Sequence, residues 1–107
     1  MLNTNERRTF PRYRLERPAK LHVLATGKYL AGSTVDVSPG GVLVRVELGT
    51  NCPIGADVEV GVAEHASQPV IRQADMMRGT VIRSVGHDGA GYLAVRFTEV
   101  QCLAASA

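Results

Sequence analysis

Residues 41–47 read GVLVRVE, and this stretch decides the fold class. The valines at positions 42, 44 and 46 fall on one face, while Leu43, Arg45 and Glu47 occupy the other. Alternation with a period of two is typical of a strand that buries one face and exposes the other. The stretch therefore predicts a half-buried strand, and the rest of the chain can be compared with it.

The same alternation recurs on both sides of this stretch, in short segments separated by glycine and proline. It predicts five further strands, at residues 19–25, 28–37, 57–62, 77–85 and 92–99, with a glycine-rich loop at 86–91. Six antiparallel strands in about 80 residues leave exposed edges unless the sheet closes on itself. The sequence thus predicts an all-β protein, a six-stranded antiparallel β-barrel.

The two ends of the chain do not follow the strand pattern. Residues 1–18 contain two prolines and five of the ten arginines, which predicts an extended arginine-rich segment preceding a barrel domain at residues 19–107. Residues 100–107 are predicted to form a short helical tail, which needs packing to be stable.

The composition of the 107 residues fits one cytoplasmic domain. No run of 18 apolar residues exists, and the polar N-terminus lacks the apolar stretch of a signal peptide. Cys52 and Cys102 are 50 residues apart without CxxC spacing, so we interpret both as reduced thiols. The three histidines, at positions 22, 65 and 87, are scattered, and we expect no metal site and no cofactor.

Positive charge is concentrated at the start of the chain. Residues 1–17 carry five Arg and two Glu, a balance of +3, whereas the remaining residues carry seven basic and eight acidic side chains, a balance of −1. Such a segment either binds an anionic partner or serves as a solubilising tail.

The basic segment contains an RxxxR spacing, from Arg8 to Arg12, with Arg7 directly before it. Guanidinium groups donate paired hydrogen bonds, which suit phosphate oxygens and equally the O6/N7 edge of guanine. In an extended chain the two ends of RxxxR lie on the same side, about 13 Å apart. That span suits a large anionic ligand, although the spacing alone is weakly specific.

A second pattern, DxSxxG, occupies residues 36–41 (DVSPGG), where one predicted strand ends and the next begins. Asp36 can accept from a guanine edge, and Ser38 can donate or accept. Gly40 and Gly41 let the backbone approach a ligand or adopt positive φ. The alternative is purely structural, because Asp, Ser, Pro and Gly are all good turn residues that bond to nearby amides.

Together the two patterns are far more specific than either one. The run ERRTFPRYRLERPAKLHV followed by TVDVSPGGVLV resembles the PilZ family of cyclic di-GMP receptors, and VIRSVGHDGAGYLAVRF resembles the final hairpin of that family. The resemblance implies a six-stranded PilZ barrel whose arginine segment folds over bound nucleotide. It assigns cyclic di-GMP contacts to Arg8, Arg12, Asp36, Ser38 and Gly41.

The resemblance also implies a mode of action. In the family, an arginine at the position of Arg7 accompanies binding of two intercalated nucleotides per protein. The expected function is a receptor that changes conformation on binding cyclic di-GMP and signals to an unidentified partner protein. Direct membrane insertion is not expected, and nucleic acid is not among the expected partners.

Two other functions compete with this one. A ligand-silent PilZ adaptor would act through protein contacts alone. Such a protein need not keep both RxxxR and DxSxxG, so the presence of both patterns argues against it. A small barrel that binds nucleic acid would use the basic segment on phosphates, but the chain is only 5% aromatic and offers few stacking platforms. No catalytic residues are expected, since Ser38 lacks the GxSxG context of a nucleophile.

Overall fold

The computed structural model describes residues 13–47, 52–63, 71 and 75–99. These residues form seven strands: β1 Tyr13–Arg14, β2 Pro18–Val23, β3 Lys28–Ser38, β4 Gly41–Glu47, β5 Asp57–Val62, β6 Met77–His87 and β7 Ala90–Phe97. Within the described residues no helix is long and apolar enough to cross a membrane. The predicted helical tail at 100–107 lies outside the described residues.

The six longer strands form one closed antiparallel sheet. Their order is β3-β2-β5-β6-β7-β4, and a further pairing between β3 and β4 closes the ring. Closure leaves no long unpaired edge among these strands. The six-stranded barrel predicted from the sequence is confirmed.

The short strand β1 continues the line of β2 along the same edge of β3. Tyr13 pairs with Val37 and Arg14 with Asp36, whereas β2 pairs with β3 from Ser33 back to Lys28. The last residues of the predicted arginine-rich segment are therefore extended and paired with the barrel. The domain boundary at residue 18 stays a prediction.

Valine fills the barrel interior. Val42, Val44 and Val46 are all buried, as their alternation predicts, and Val44 is inaccessible to solvent. The other fully buried side chains include Leu21, Val58, Val60, Val81 and Leu93. Burying a side chain of this size contributes roughly 1.5–3 kcal/mol, so a valine core can hold a small barrel together without tryptophan.

The final hairpin is tighter than its sequence suggests. The sequence predicts a loop over residues 86–91, but β6 and β7 extend to His87 and Ala90 and leave a two-residue turn. Asp88 and Gly89 both have positive φ, 50° and 77°, which matches the twist that a two-residue hairpin needs. The loop prediction is wrong because the flanking glycines and His87 hide the strand alternation.

Candidate functional site

The DxSxxG residues lie at the hairpin that joins β3 to β4. Ser38 pairs with Gly41, and Pro39-Gly40 forms the turn between them. The Ser38 hydroxyl accepts from the Gly40 amide at 3.3 Å and donates to the Gly41 carbonyl at 3.4 Å. Both bonds are long, so the hydroxyl supports the turn weakly. The structural interpretation of Ser38 is thus correct in part.

A bulge in β3 turns the pattern toward solvent. The pairing of β3 with β4 shifts between Thr34 and Asp36, which makes Val35 the extra residue. Thr34 and Val37 both face the interior, although they are three residues apart. Without the bulge, the period of two would place Asp36 on the buried face of Thr34. The bulge therefore puts Asp36 and Ser38 together on the outside of the barrel.

Asp36 is half-buried on this outer surface and differs from Ser38 in its contacts. Its side chain forms no hydrogen bond and no ion pair with any other described residue. Arg14 lies across from it on one side, in β1, and Leu43 on the other, in β4. No described side chain therefore competes with a ligand for this carboxylate.

Thr34 fastens the chain between β1 and β2 to the barrel. Its side chain is 2% exposed, accepts from the Arg17 amide at 2.9 Å and donates to the Leu15 carbonyl. Its own amide donates to the Arg17 carbonyl at 2.8 Å, and the Leu15 amide donates to Val35. These bonds hold the end of the arginine-rich segment beside the DxSxxG strand.

Gly41 is a glycine because two strands approach closely. A Cβ at this position would collide with the Val95 carbonyl oxygen in β7. Among the described glycines, positive φ occurs at Gly27, Gly55 and Gly89, so of the two roles considered for Gly40 and Gly41 positive φ does not apply. Gly41 thus has a packing role that does not depend on any ligand.

The surface around the pattern is basic. We call the outward side of β3, β4 and β7 the signature face, formed by Asp36, Ser38, Gly41, Leu43, Ala94 and Arg96. The pairing places four exposed arginines on it or at its borders, namely Arg14, Arg45, Arg83 and Arg96. A bulge between Val81 and Arg83 turns Arg83 outward, opposite Ala94. Anions are therefore favoured on this face.

The structure brings together four of the residues singled out from the sequence: Asp36, Ser38, Gly40 and Gly41. The other three, Arg7, Arg8 and Arg12, lie outside the described residues. Sequence reasoning missed the neighbours Arg14, Leu43 and Arg96. A two-residue turn at Pro39-Gly40 pairs Asp36 with Leu43 directly, so the turn signal contained part of this information.

The remaining titratable groups do not form a second reactive centre in the part of the chain that is described. There, no three His, Cys, Asp or Glu side chains are grouped to hold a metal ion. His22 bonds to Glu59 at 2.9 Å and stacks on Tyr29, with ring centroids 4.4 Å apart. Burial raises the pKa of the Cys52 thiol, which makes it a poor nucleophile near neutral pH.

The barrel has relatives among solved structures. It resembles the inhibitor of motility MotI (DgrA) of Bacillus subtilis, with a TM-score of 0.72, 14% identity and coverage of 94% of this chain and 47% of MotI. The PilZ domain of Escherichia coli YcgR with c-di-GMP gives a TM-score of 0.66 at 18% identity, over 87% of this chain and 79% of that one. The K. pneumoniae MrkH–c-di-GMP complex gives 0.65 at 15%, over 94% and 48%.

These likenesses show a shared fold, and the chain spans about half the length of MotI and MrkH. None of the curated proteins compared with the chain is significantly similar to it. The model of the PilZ domain family matches residues 6–102, nearly all of the 107. With the closed six-stranded barrel and an outward-facing DxSxxG hairpin, this match establishes that the chain belongs to the PilZ domain family.

Proposed function

We propose that this protein is a cyclic di-GMP receptor whose ligand lies on the signature face. The observation that carries the proposal is the bulge at Val35, which directs Asp36 and Ser38 outward at the hairpin. A buried or internally paired carboxylate would be of no use to a ligand. Here it lies beside a basic segment, and solved relatives of the same fold carry c-di-GMP.

Chain connectivity supports a role for the motif arginines. Tyr13 pairs with Val37, one residue before Ser38, and Arg12 directly precedes Tyr13. Consecutive Cα atoms are about 3.8 Å apart, so the Cα atom of Arg12 is one such step from Tyr13, which is paired with the DxSxxG strand. Arg8 is five residues from Tyr13, within about 18 Å of it. The length of chain before Tyr13 thus allows both guanidinium groups to reach a dinucleotide bound on this face.

The ligand and the site are chemically complementary. The Asp36 carboxylate accepts hydrogen bonds, which suits the N1 and N2 donors of guanine, while guanidinium groups bind phosphate oxygens and the guanine O6/N7 edge. We propose that Arg8 and Arg12 contact phosphate and guanine from above while Asp36 and Ser38 contact the ligand from the barrel. The ligand then joins the arginine segment to the barrel.

Isothermal titration calorimetry with cyclic di-GMP, and with GTP as the comparison ligand, tests this proposal. Alanine at Arg8, Arg12 or Asp36 is expected to weaken binding by about 2–4 kcal/mol, because each change leaves a charged or polar group of the ligand unpaired. Asp57→Asn and Lys28→Ala are the matched controls, since both remove an exposed charge outside the signature face. Unchanged affinity in both arginine variants would exclude this site.

The stoichiometry depends on Arg7. We propose that two nucleotides bind per protomer and that Arg7 contacts the second one. Calorimetry is expected to give two equivalents for the wild type and one for Arg7→Ala. A single equivalent for both proteins would refute the two-nucleotide stoichiometry and the proposed role of Arg7. The rest of the proposal would be unaffected.

We further propose that binding draws the arginine segment onto the signature face and that the new surface engages a partner protein. Hydrogen exchange measured with and without cyclic di-GMP tests the first step. Slower exchange of amides in residues 1–17 upon binding is expected. Exchange that is the same in both states would refute the conformational change.

A further inference from the structure

Arg96, which belongs to neither sequence pattern, lies directly beside the DxSxxG hairpin. It is the cross-strand partner of Gly41 and is exposed on the outside of β7. The next residue, Phe97, donates its amide to the Gly40 carbonyl at 2.9 Å. The backbone of Arg96 is therefore fixed to the same turn that presents Ser38.

The position opposite Arg96 has no side chain. Because Gly41 separates Ser38 from Arg96, the two residues face each other across a gap of two strand spacings, about 10 Å between Cα atoms. A side chain at position 41 would collide with the Val95 carbonyl oxygen, so the packing of the barrel favours the gap. A long guanidinium side chain can extend over it toward the hairpin.

Arg96 also lacks a counter-charge within the described residues, where it forms no ion pair. The cross-strand row continues from Arg96 to Thr80 and then to Asp57. The Thr80 hydroxyl donates to the Asp57 carboxylate at 3.3 Å, so this acid is bonded to Thr80 and lies two strands from Arg96. Among the described residues, Arg96 is therefore held by no ion pair and remains available on the face that carries Asp36 and Ser38.

We propose that Arg96 is a further ligand-binding residue, which donates to a phosphate of the bound dinucleotide at the Gly41 end of the signature face. This inference rests on the proposed function. Phosphate recognition by a guanidinium group explains why an exposed arginine faces a gap that the fold keeps open. Arg96 then contacts the ligand from the β7 side of the signature face.

Calorimetric titration of folded Arg96→Ala with cyclic di-GMP tests the inference, with Arg96→Lys and Lys28→Ala as companions. Lys28 is an exposed cation ten residues from Ser38 along β3, about 30 Å away. Arg96→Ala is expected to weaken binding by about tenfold or more, as loss of a charged hydrogen bond does. Arg96→Lys is expected to recover part of the affinity, and Lys28→Ala to match the wild type.

The outcomes separate the two proposals. If the wild type binds and Asp36→Ala weakens binding while Arg96→Ala does not, the site stands and the role of Arg96 is refuted. If Lys28→Ala weakens binding as much as Arg96→Ala, the effect is one of net charge, and the specific contact is refuted. If the wild type shows no saturable binding, the proposed function itself fails.

Discussion

The contact between Thr34 and the chain before β2 gives a quantitative prediction. Thr34→Val keeps the shape of the side chain but removes its hydroxyl, so the Arg17 amide loses its acceptor and the Leu15 carbonyl loses its donor. A buried group left unpaired costs about 1–3 kcal/mol. Because both groups are only partly buried, we expect a total near the low end, about 2–3 kcal/mol.

Circular dichroism or calorimetric melting measures this loss. For a chain of 107 residues, 1 kcal/mol corresponds to a change of roughly 4–5 °C in Tm, so Thr34→Val is expected to melt about 10 °C lower. Thr34→Ser is the matched control, since it keeps the hydroxyl and loses one methyl group, worth about 1 kcal/mol. The order of stability should be wild type, then serine, then valine. A valine variant at least as stable as the serine variant would refute the reasoning.

Three further predictions concern the barrel. Gly41→Ala is expected to lower stability by about 1–3 kcal/mol in urea unfolding, because its Cβ would collide with the Val95 carbonyl oxygen; normal stability would contradict that packing. Gly89→Ala is expected to cost about 1 kcal/mol at a φ of 77°, whereas an unchanged midpoint would argue against the tight turn. Burial raises the pKa of Cys52, so the unfolded chain loses this proton at lower pH. Below about pH 8.5 the Cys52 thiol keeps its proton in both states, and its burial contributes fully to the free energy of unfolding. As pH rises through the folded pKa, loss of the proton from the unfolded chain removes this contribution. Between pH 7.5 and 10, the wild type should lose stability relative to Cys52→Ala, and a constant difference would contradict the shift.

The barrel was predictable because its signals are local. The valines of 42–46 and 58–60 alternate cleanly, and the strands they predict bury those side chains. The edge strands of an open six-stranded sheet have unpaired backbone N–H and C=O groups, and closure into a barrel pairs them. The number of predicted strands was therefore enough to predict a barrel. The long turn predicted at 86–91 shows the limit, because glycine has no side chain to mark a face.

The arrangement of the candidate site was less predictable. Strict alternation along β3 would place Asp36 on the same face as Thr34, and nothing local marks Val35 as the extra residue. The bulge arises from pairing with β4, where Asp36 takes Leu43 as its partner and Thr34 takes Val44. The position of Arg96 likewise depends on the neighbouring strand. Such cross-strand relationships become visible only once the register is known.

The account is tested most directly by one comparison of cyclic di-GMP titrations, between the wild type and Asp36→Ala. Both proteins are first shown to melt alike, so that any difference in heat reports the site. We expect saturable binding to the wild type, no comparable binding of GTP, and an affinity at least 30-fold lower for Asp36→Ala, from a loss of about 2 kcal/mol or more. Equal affinity in the two proteins, or no saturable heat from the folded wild type at micromolar concentration, would contradict it.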